Sequence, residues 1–235
     1  MSQQPKGRMY VVSTPIGNLG DITYRSVETL RAVSLIAAED TRRSRILLNH
    51  YQIDTPLSSY NSYNKIKKGP DLIARLNQGD DIALVSDAGT PGISDPLYHL
   101  VQLALEEDIE VISIPGPSAV LAALTVSGLP MDRFRFEGFL PRKKRRKKTI
   151  EELAQHSETV VMFESPQRIE KTLGELKEVF GNRKAALTRE LTKMHEEVLR
   201  GGLEDLYKAS QGRKYKGEIT LVISGNPIKR KHKET

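Results

Sequence analysis

Ala83-Leu84-Val85-Ser86-Asp87-Ala88-Gly89-Thr90-Pro91-Gly92-Ile93-Ser94-Asp95-Pro96 changes character partway along. Residues 82–85 form a short apolar run, as a buried strand does. From Ser86 the chain turns to loop formers: Ser86, Asp87, Gly89, Pro91 and Gly92. Ser94 or Asp95 can cap a helix, with Pro96 suited to its first turn, and 96–107 follow a largely apolar helical pattern. The stretch therefore reads as strand, tight loop, helix. In open α/β sheets, ligands bind beyond the carboxyl ends of strands, where such loops sit. Two glycines let backbone approach a ligand, and two aspartates can accept from hydroxyls. An ordinary βα connection with tight turns fits the same pattern.

The same unit recurs on either side. Residues 8–14 read as a strand, 15–20 as a Pro/Gly loop, and a helix capped by Asp21 or Thr23 runs through Arg31. Strands are expected at 35–38, 56–59 and 110–114, and helices at 44–51, 66–78 and 119–126, with Gly69-Pro70 breaking the start of the second. Strands alternating with helices predict a mostly parallel sheet with right-handed crossovers. Ser127-Gly128-Leu129-Pro130 is a break, which gives an expected first domain of 1–127 and a second of 128–235. In the second, strands are expected at 133–140, 159–163, 184–188, 197–200 and 219–224. Helices are expected at 149–156, 167–180, with Gly181 as C-cap, and 203–209. Strand directions in this half are harder to read, so a mixed sheet is expected.

Composition narrows the function. The 235 residues are 38% hydrophobic and 28% charged, with net charge +6, which is globular and mildly suited to anionic partners. No apolar run approaches the ~20 residues of a membrane span. Residues 1–8 are polar and lack the apolar core of a secretory signal. With no cysteine there is no disulfide, thiolate metal site or cysteine nucleophile, and a cytoplasmic protein is expected. The five histidines lack metal-ligand spacing, so no metal is expected. P-loop, Gly-x-Gly-x-x-Gly and Gly-x-Ser-x-Gly motifs are absent.

Three Pro/Gly/hydroxyl-rich loops, at 14–20, 86–96 and 115–118, follow strands. In a parallel sheet they share one edge and rim a cleft. Glu39 and Asp40 end another strand, either as a base or hydroxyl holder or as the cap of the next helix. Arg142, Lys143, Lys144, Arg145, Arg146, Lys147 and Lys148 are seven adjacent cations. Such a run suits nucleic-acid phosphates, or is a solvated loop. Phe134, Phe136 and Phe139 beside it have the alternation of core residues more than of a base-stacking platform.

Together, Ser-Thr-Pro-Ile-Gly-Asn-Leu-Gly-Asp-Ile-Thr (13–23), Ala-Ala-Glu-Asp-Thr-Arg (37–42), Val-Ser-Asp-Ala-Gly-Thr-Pro-Gly-Ile-Ser-Asp-Pro (85–96), Pro-Gly-Pro-Ser-Ala (115–119), Gly-Phe-Leu-Pro-Arg (138–142), Phe-Glu-Ser-Pro-Gln-Arg (163–168), Thr-Arg-Glu-Leu-Thr-Lys (188–193) and Lys-Gly-Glu (216–218) resemble the ribosomal RNA small subunit methyltransferase I family. This family belongs to the tetrapyrrole-methylase-like class of S-adenosylmethionine enzymes. The likeness spans nearly the whole chain. Leu97 departs from it where glycine is expected, which bears on the packing of that helix start, and the basic run is denser than expected.

The resemblance implies two α/β domains with an S-adenosylmethionine cleft between them, the tetrapyrrole methylase fold, and a homodimer. It implies 2′-O-methylation of a cytidine in the decoding region of 16S rRNA, as free RNA or in the small ribosomal subunit. It carries over as cofactor positions Ser86, Asp87, Ala88, Gly89, Ile93, Ser94, Asp95, Ser118 and Ala119, faced from the second domain by Phe163, Glu164, Leu191, Gly217, Glu218 and Ile219.

Methyl transfer from a sulfonium needs oxygen, carbon and sulfur in line at about 3–3.5 Å. A ribose hydroxyl is a weak nucleophile, so a base should help. Glu39 and Asp40 are the candidate bases, and Arg42 and Lys193 are candidates to orient RNA or steady the developing alkoxide. A tetrapyrrole or other small-molecule methyltransferase on the same fold is the alternative, since fold does not fix substrate. A non-enzymatic RNA-binding protein is the other, though binding alone needs no such cluster of loops. The basic run favours RNA as substrate.

Overall fold

The structure is a computed structural model that describes residues 5–93 and 98–227. It divides into two compact units, Met1–Ser118 and Ala119–Thr235.

The first unit is a five-stranded sheet of β1 (Met9–Val12), β2 (Leu35–Ala38), β3 (Leu57–Ser59), β4 (Ile82–Val85) and β5 (Val111–Ile114), in the order β3-β2-β4-β1-β5. Every pair in it is parallel. Its helices are α1 (Tyr24–Ala32), α2 (Thr41–His50), α3 (Lys65–Asn77) and α4 (Tyr98–Glu106). Successive strand residues point to opposite faces. Ile82 and Leu84 therefore pack with Leu72, Leu76 and Leu100 of α3 and α4. Ala83 and Val85 pack with Leu30 and Leu48 of α1 and α2. Both faces are covered, which is why β2 and β4 are apolar throughout.

Gly69-Pro70 does not break α3, which runs through both residues. The glycine serves close packing instead: a Cβ at Gly69 would lie 2.9 Å from Leu103 Cδ1 of α4. Helix α2 begins three residues earlier than expected because the Asp40 side chain accepts from the Arg42 amide and caps it.

The second unit contains α5 (Ala119–Ser127), β6 (Phe134–Phe139), α6 (Arg146–Gln155), β7 (Thr159–Glu164), α7 (Ile169–Phe180), β8 (Lys184–Arg189), β9 (Glu197–Gly202), α8 (Leu203–Ser210) and β10 (Ile219–Ile223). The sheet order is β6-β7-β10-β8-β9. Only β6 and β7 pair in parallel; β10 lies antiparallel between β7 and β8, and β9 antiparallel to β8, so the sheet is mixed. Helices α6, α7 and α8 share a core with Val160, Met162, Leu187 and Leu221 on one face. Helix α5 packs against β7, β8, β9 and β10. That packing is why the units divide at Ser118/Ala119, whereas the sequence break suggested 127/128. The composition break marks the end of α5, but its apolar side chains belong to the second sheet.

Candidate functional site

Five parallel strands send their following loops to one edge of the first sheet, and three of those loops are stitched together. Thr14, after β1, and Gly89, after β4, form a two-way backbone bridge, with N–H donors at 2.9 and 3.0 Å. Ser13 Oγ donates to Thr90 Oγ1 (3.2 Å), which donates to the Pro117 carbonyl after β5 (3.2 Å). The Ser13 amide bonds Ile114, and Thr14 Oγ1 bonds the Ser86 carbonyl. The bridge needs glycine at 89, whose φ is +78° and where a Cβ would press on Ile16 at 3.3 Å.

A fourth loop joins through Asp87. Its carboxylate accepts from the Asp40 amide at 2.9 Å and faces Arg43 at 3.6 Å. Glu39 and Asp40 are both half-buried there. Asp40 is already engaged: it caps α2 and receives two hydrogen bonds from the Arg42 guanidinium, at 3.0 and 2.7 Å. Those bonds hold its carboxyl at about 2. A carboxylate so acidic is a poor proton acceptor. This geometry makes Asp40 the cap of the next helix and argues against its being a base. Arg42 is otherwise solvent-exposed.

Of the remaining first-unit positions, Ser86 and Gly89 are buried, Ala88 and Ile93 exposed, and Ser118 half-buried. Ser94 and Asp95, like Leu97, lie outside the described residues.

In the second unit, two turns meet at one end of the sheet. The turn after β8 carries Glu190 (φ +51°) and Thr192 (φ +69°), a conformation costly for residues with side chains. The turn before β10 carries Gly217 at φ +87°, where a Cβ would overlap the Glu190 carboxyl. Lys193 Nζ lies 2.9 Å from both Glu190 and Glu218. The Glu190 amide bonds the Glu218 carbonyl, and the Glu218 amide returns to Glu190 Oε1. Burial pushes the Glu190 carboxyl up, but Lys193 and the Glu218 amide outweigh it and leave it below its ordinary value. Lys193, which the sequence offered as a cation to orient RNA or steady the alkoxide, thus clamps two turns together.

Leu191, Gly217, Glu218 and Ile219 come together there, with Phe163 and Glu164 one strand away, Glu164 pairing with Ile219 in register. Phe163 meets the rings of Phe136 and Phe139 at 5.0 and 5.6 Å. The Thr192 hydroxyl is buried with no hydrogen-bond partner. Ala119 starts α5 elsewhere in the sequence of this unit.

Two expected site residues point into the protein. The Glu164 side chain is buried, its oxygens taken by Arg168 (2.7 Å), the Ser165 amide (2.7 Å) and Thr172 (2.7 Å), with Arg146 at 4.0 Å. Its carboxylate therefore faces the helices rather than a ligand. Arg146, expected to bind RNA, is only 7% exposed. It bonds Glu175 at 2.6 Å, Thr172 at 2.7 Å and the Pro141 carbonyl. The reason is helical phase: Arg146 shares the buried face of α6 with Ile150, Leu153 and Ala154. That spacing was the signal for an inward arginine, hidden by expecting the helix to start at Thr149. Arg142, Lys143, Lys144, Arg145, Lys147 and Lys148 are exposed.

No local signal marks the Ser13–Thr90–Pro117 relay, whose members come from three loops. Among the described residues, no group of three histidines or carboxylates is placed to hold a metal ion, and no helix is long and apolar enough to cross a membrane.

The family model described as Tetrapyrrole (Corrin/Porphyrin) Methylases matches residues 8–207. Solved structures share this fold: cobalt precorrin-4 methyltransferase has a TM-score of 0.70 at 16% identity, covering 92% of this chain and 94% of that one. Diphthine synthase has a TM-score of 0.73 at 15% identity, covering 93% and 90%. Much nearer in sequence are two proteins named ribosomal RNA small subunit methyltransferase I. The Thermotoga maritima protein is 47% identical over 93% of this chain and 99% of its own length. The Synechocystis protein is 51% identical over 93% of this chain and 79% of its own. Matches at that level over more than nine-tenths of the chain take in both units, so the chain belongs to the ribosomal RNA small subunit methyltransferase I family, within the tetrapyrrole methylases.

Proposed function

We propose that this protein methylates the 2′-hydroxyl of a cytidine in the decoding region of 16S rRNA. Membership of its family makes it a methyltransferase that uses S-adenosylmethionine. The observation that carries the reading is the stitched edge of the first sheet, present in a chain whose relatives are named for ribosomal RNA.

The residues present suit the donor. The loops after β1, β4 and β5 offer close backbone, carbonyls and hydroxyls, and a glycine at 89 that keeps side-chain atoms away. No phosphate cradle is needed, because the donor carries no phosphates. The orphaned Thr192 hydroxyl fits a polar group of a ligand, beside turns held in strained backbone. Ser86, Asp87, Ala88 and Gly89 would hold it from the first unit, with Ile93 and Ser118; Phe163, Leu191 and the backbone of Gly217 to Ile219 from the second. The same assignment extends to Ser94, Asp95 and Ala119, and to Glu164 only through its backbone.

S-adenosylmethionine supplies an electrophilic methyl group when bound. The chain's own part is to align the ribose oxygen and to take its proton. Glu39, at the end of β2, is the proton acceptor in this reading. Asp87 steadies the neighbouring backbone through the Asp40 amide, and Asp40 fixes the start of α2. The exposed cations of 142–148 draw in RNA phosphates.

The reading includes a homodimer acting in the cytoplasm, where small subunits assemble.

The test is methyl transfer from labelled donor to small ribosomal subunits lacking the modification, followed by mapping of the labelled nucleotide. Label on one cytidine ribose is expected. Donor binding with no label on the subunit would overturn the RNA reading and direct the search to small-molecule acceptors.

A further inference from the structure

The longest cation run in the chain does not act as a single surface. Arg146 turns inward and is used up by Glu175 and Thr172. Around it opens a groove of about 540 Å³ between α6 and α7. Arg142, Lys143 and Lys147 line it from the run, and Lys171 lines it from α7. Counting the inward arginine, five cations face two carboxylates, Glu175 and Glu178, a surplus of three positive charges.

Those carboxylates do not neutralise the groove. Glu175 is held at 2.6 Å by Arg146, with Lys171 at 3.8 Å. Lys147 has only Glu151 at 3.9 Å, on the exposed side of α6. Among the described residues, no carboxylate lies within ion-pair distance of Arg142 or Lys143. Like charges gathered this closely, across two helices, lower their mutual repulsion by taking an anion between them.

We propose that this groove seats RNA backbone, with Lys171 as a phosphate contact outside the basic run. The inference rests on the RNA reading above. Two features favour a polyphosphate chain over an acidic protein. Four cations are spread along a trough with room for more than one phosphate. Its lining holds only two apolar side chains, Val179 and the buried Ile150, and no aromatic ring, whereas protein interfaces centre on large buried anchors.

Lys171 has a 73% exposed side chain, so its replacement leaves the fold intact. The probe is a 16S rRNA fragment carrying the decoding region, bound over a series of salt concentrations. Lys171→Ala is expected to weaken binding and make the log K against log salt slope shallower by about 0.7–0.9, the value of one phosphate contact. Lys171→Arg should retain the wild-type slope. Lys177→Ala is the control, since Lys177 lies on the same helix but sits over the Tyr207 ring at 4.6 Å. An unchanged slope in Lys171→Ala, with RNA still bound, overturns the groove and leaves the RNA reading standing. Wild-type protein that binds RNA without salt dependence overturns both. Polyaspartate captured through Lys171 while the RNA slope stays fixed would assign the groove to an acidic protein and defeat the proposal.

Discussion

Asp40 and Glu39 are adjacent carboxylates at one strand end, and Asp40 is committed to the start of α2. Both Asp40 oxygens are engaged by Arg42, and one also caps α2, so its carboxyl falls from 3.8 to about 2. Asparagine caps nearly as well as aspartate. Asp40→Asn should therefore keep single-turnover methyl transfer close to wild type, while Glu39→Gln should slow it about a hundredfold, the usual scale of a lost general base. Equal rates for wild type and Glu39→Gln would remove Glu39 from the chemistry. The depressed carboxyl also sets a pH dependence. Its stabilising contribution is present in full above the ordinary carboxyl value and is lost as pH falls through about 2. The stability difference between wild type and Asp40→Ala, read from urea melts, should be constant above about pH 4 and shrink towards pH 2. Sequence left base and cap equally open for this residue, because the same side chain serves either, and only the position of Arg42 decides.

Elements were legible where one local signal governs them. β2 and β4 are found at the expected residues because a parallel strand covered on both faces is apolar throughout. Gly181 closes α7 with φ +68°, as its sequence signal requires. Legibility failed where a distant partner decides. Gly69-Pro70 looked like a break, but the glycine answers to Leu103 on another helix. The basic run looked uniform, but helical phase gives Arg146 to the core. Arg146 is buried and its guanidinium holds Glu175, Thr172 and the Pro141 carbonyl, so removing it leaves those partners without their donor. Arg146→Ala should cost about 3–5 kcal/mol, a large share of a typical total of about 5–15 kcal/mol. Lys147→Ala, one residue on and exposed, should stay within about 0.5 kcal/mol. Comparable urea midpoints for the two variants would contradict the buried network. The clamp between the turns after β8 and before β10 yields a second test. Gly217→Ala puts a side chain at φ +87° and into Glu190. A strain of roughly 1 kcal/mol or more should weaken donor binding about tenfold by calorimetry, with RNA binding retained. An unchanged donor affinity would separate these turns from the cofactor.

At the scale of the molecule, the two ligands call on opposite kinds of surface. The donor-facing loops of the first unit are held by backbone bridges and hydroxyls, with the long-range ion pair of Arg43 and Asp87 at their edge. The RNA-facing cations are exposed and paired weakly or not at all. Net charge of +6 adds a long-range pull on an anionic substrate. Salt should therefore divide the kinetics. If four phosphates are contacted, the expected slope on RNA affinity is about −3. Raising salt from 50 to 200 mM would then raise the KM for RNA about sixtyfold by the same relation. The donor Kd should change little over that range, because no counterions are released from a ligand without phosphates. The kcat at saturating RNA should also hold, since cations that only bring the backbone in contribute equally to ground and transition states. A kcat that falls in step with affinity would mean that the cations also help place the ribose for reaction. Parallel loss of donor affinity would mean that one charged surface serves both ligands, against the separation of neutral loops from cationic helices drawn here.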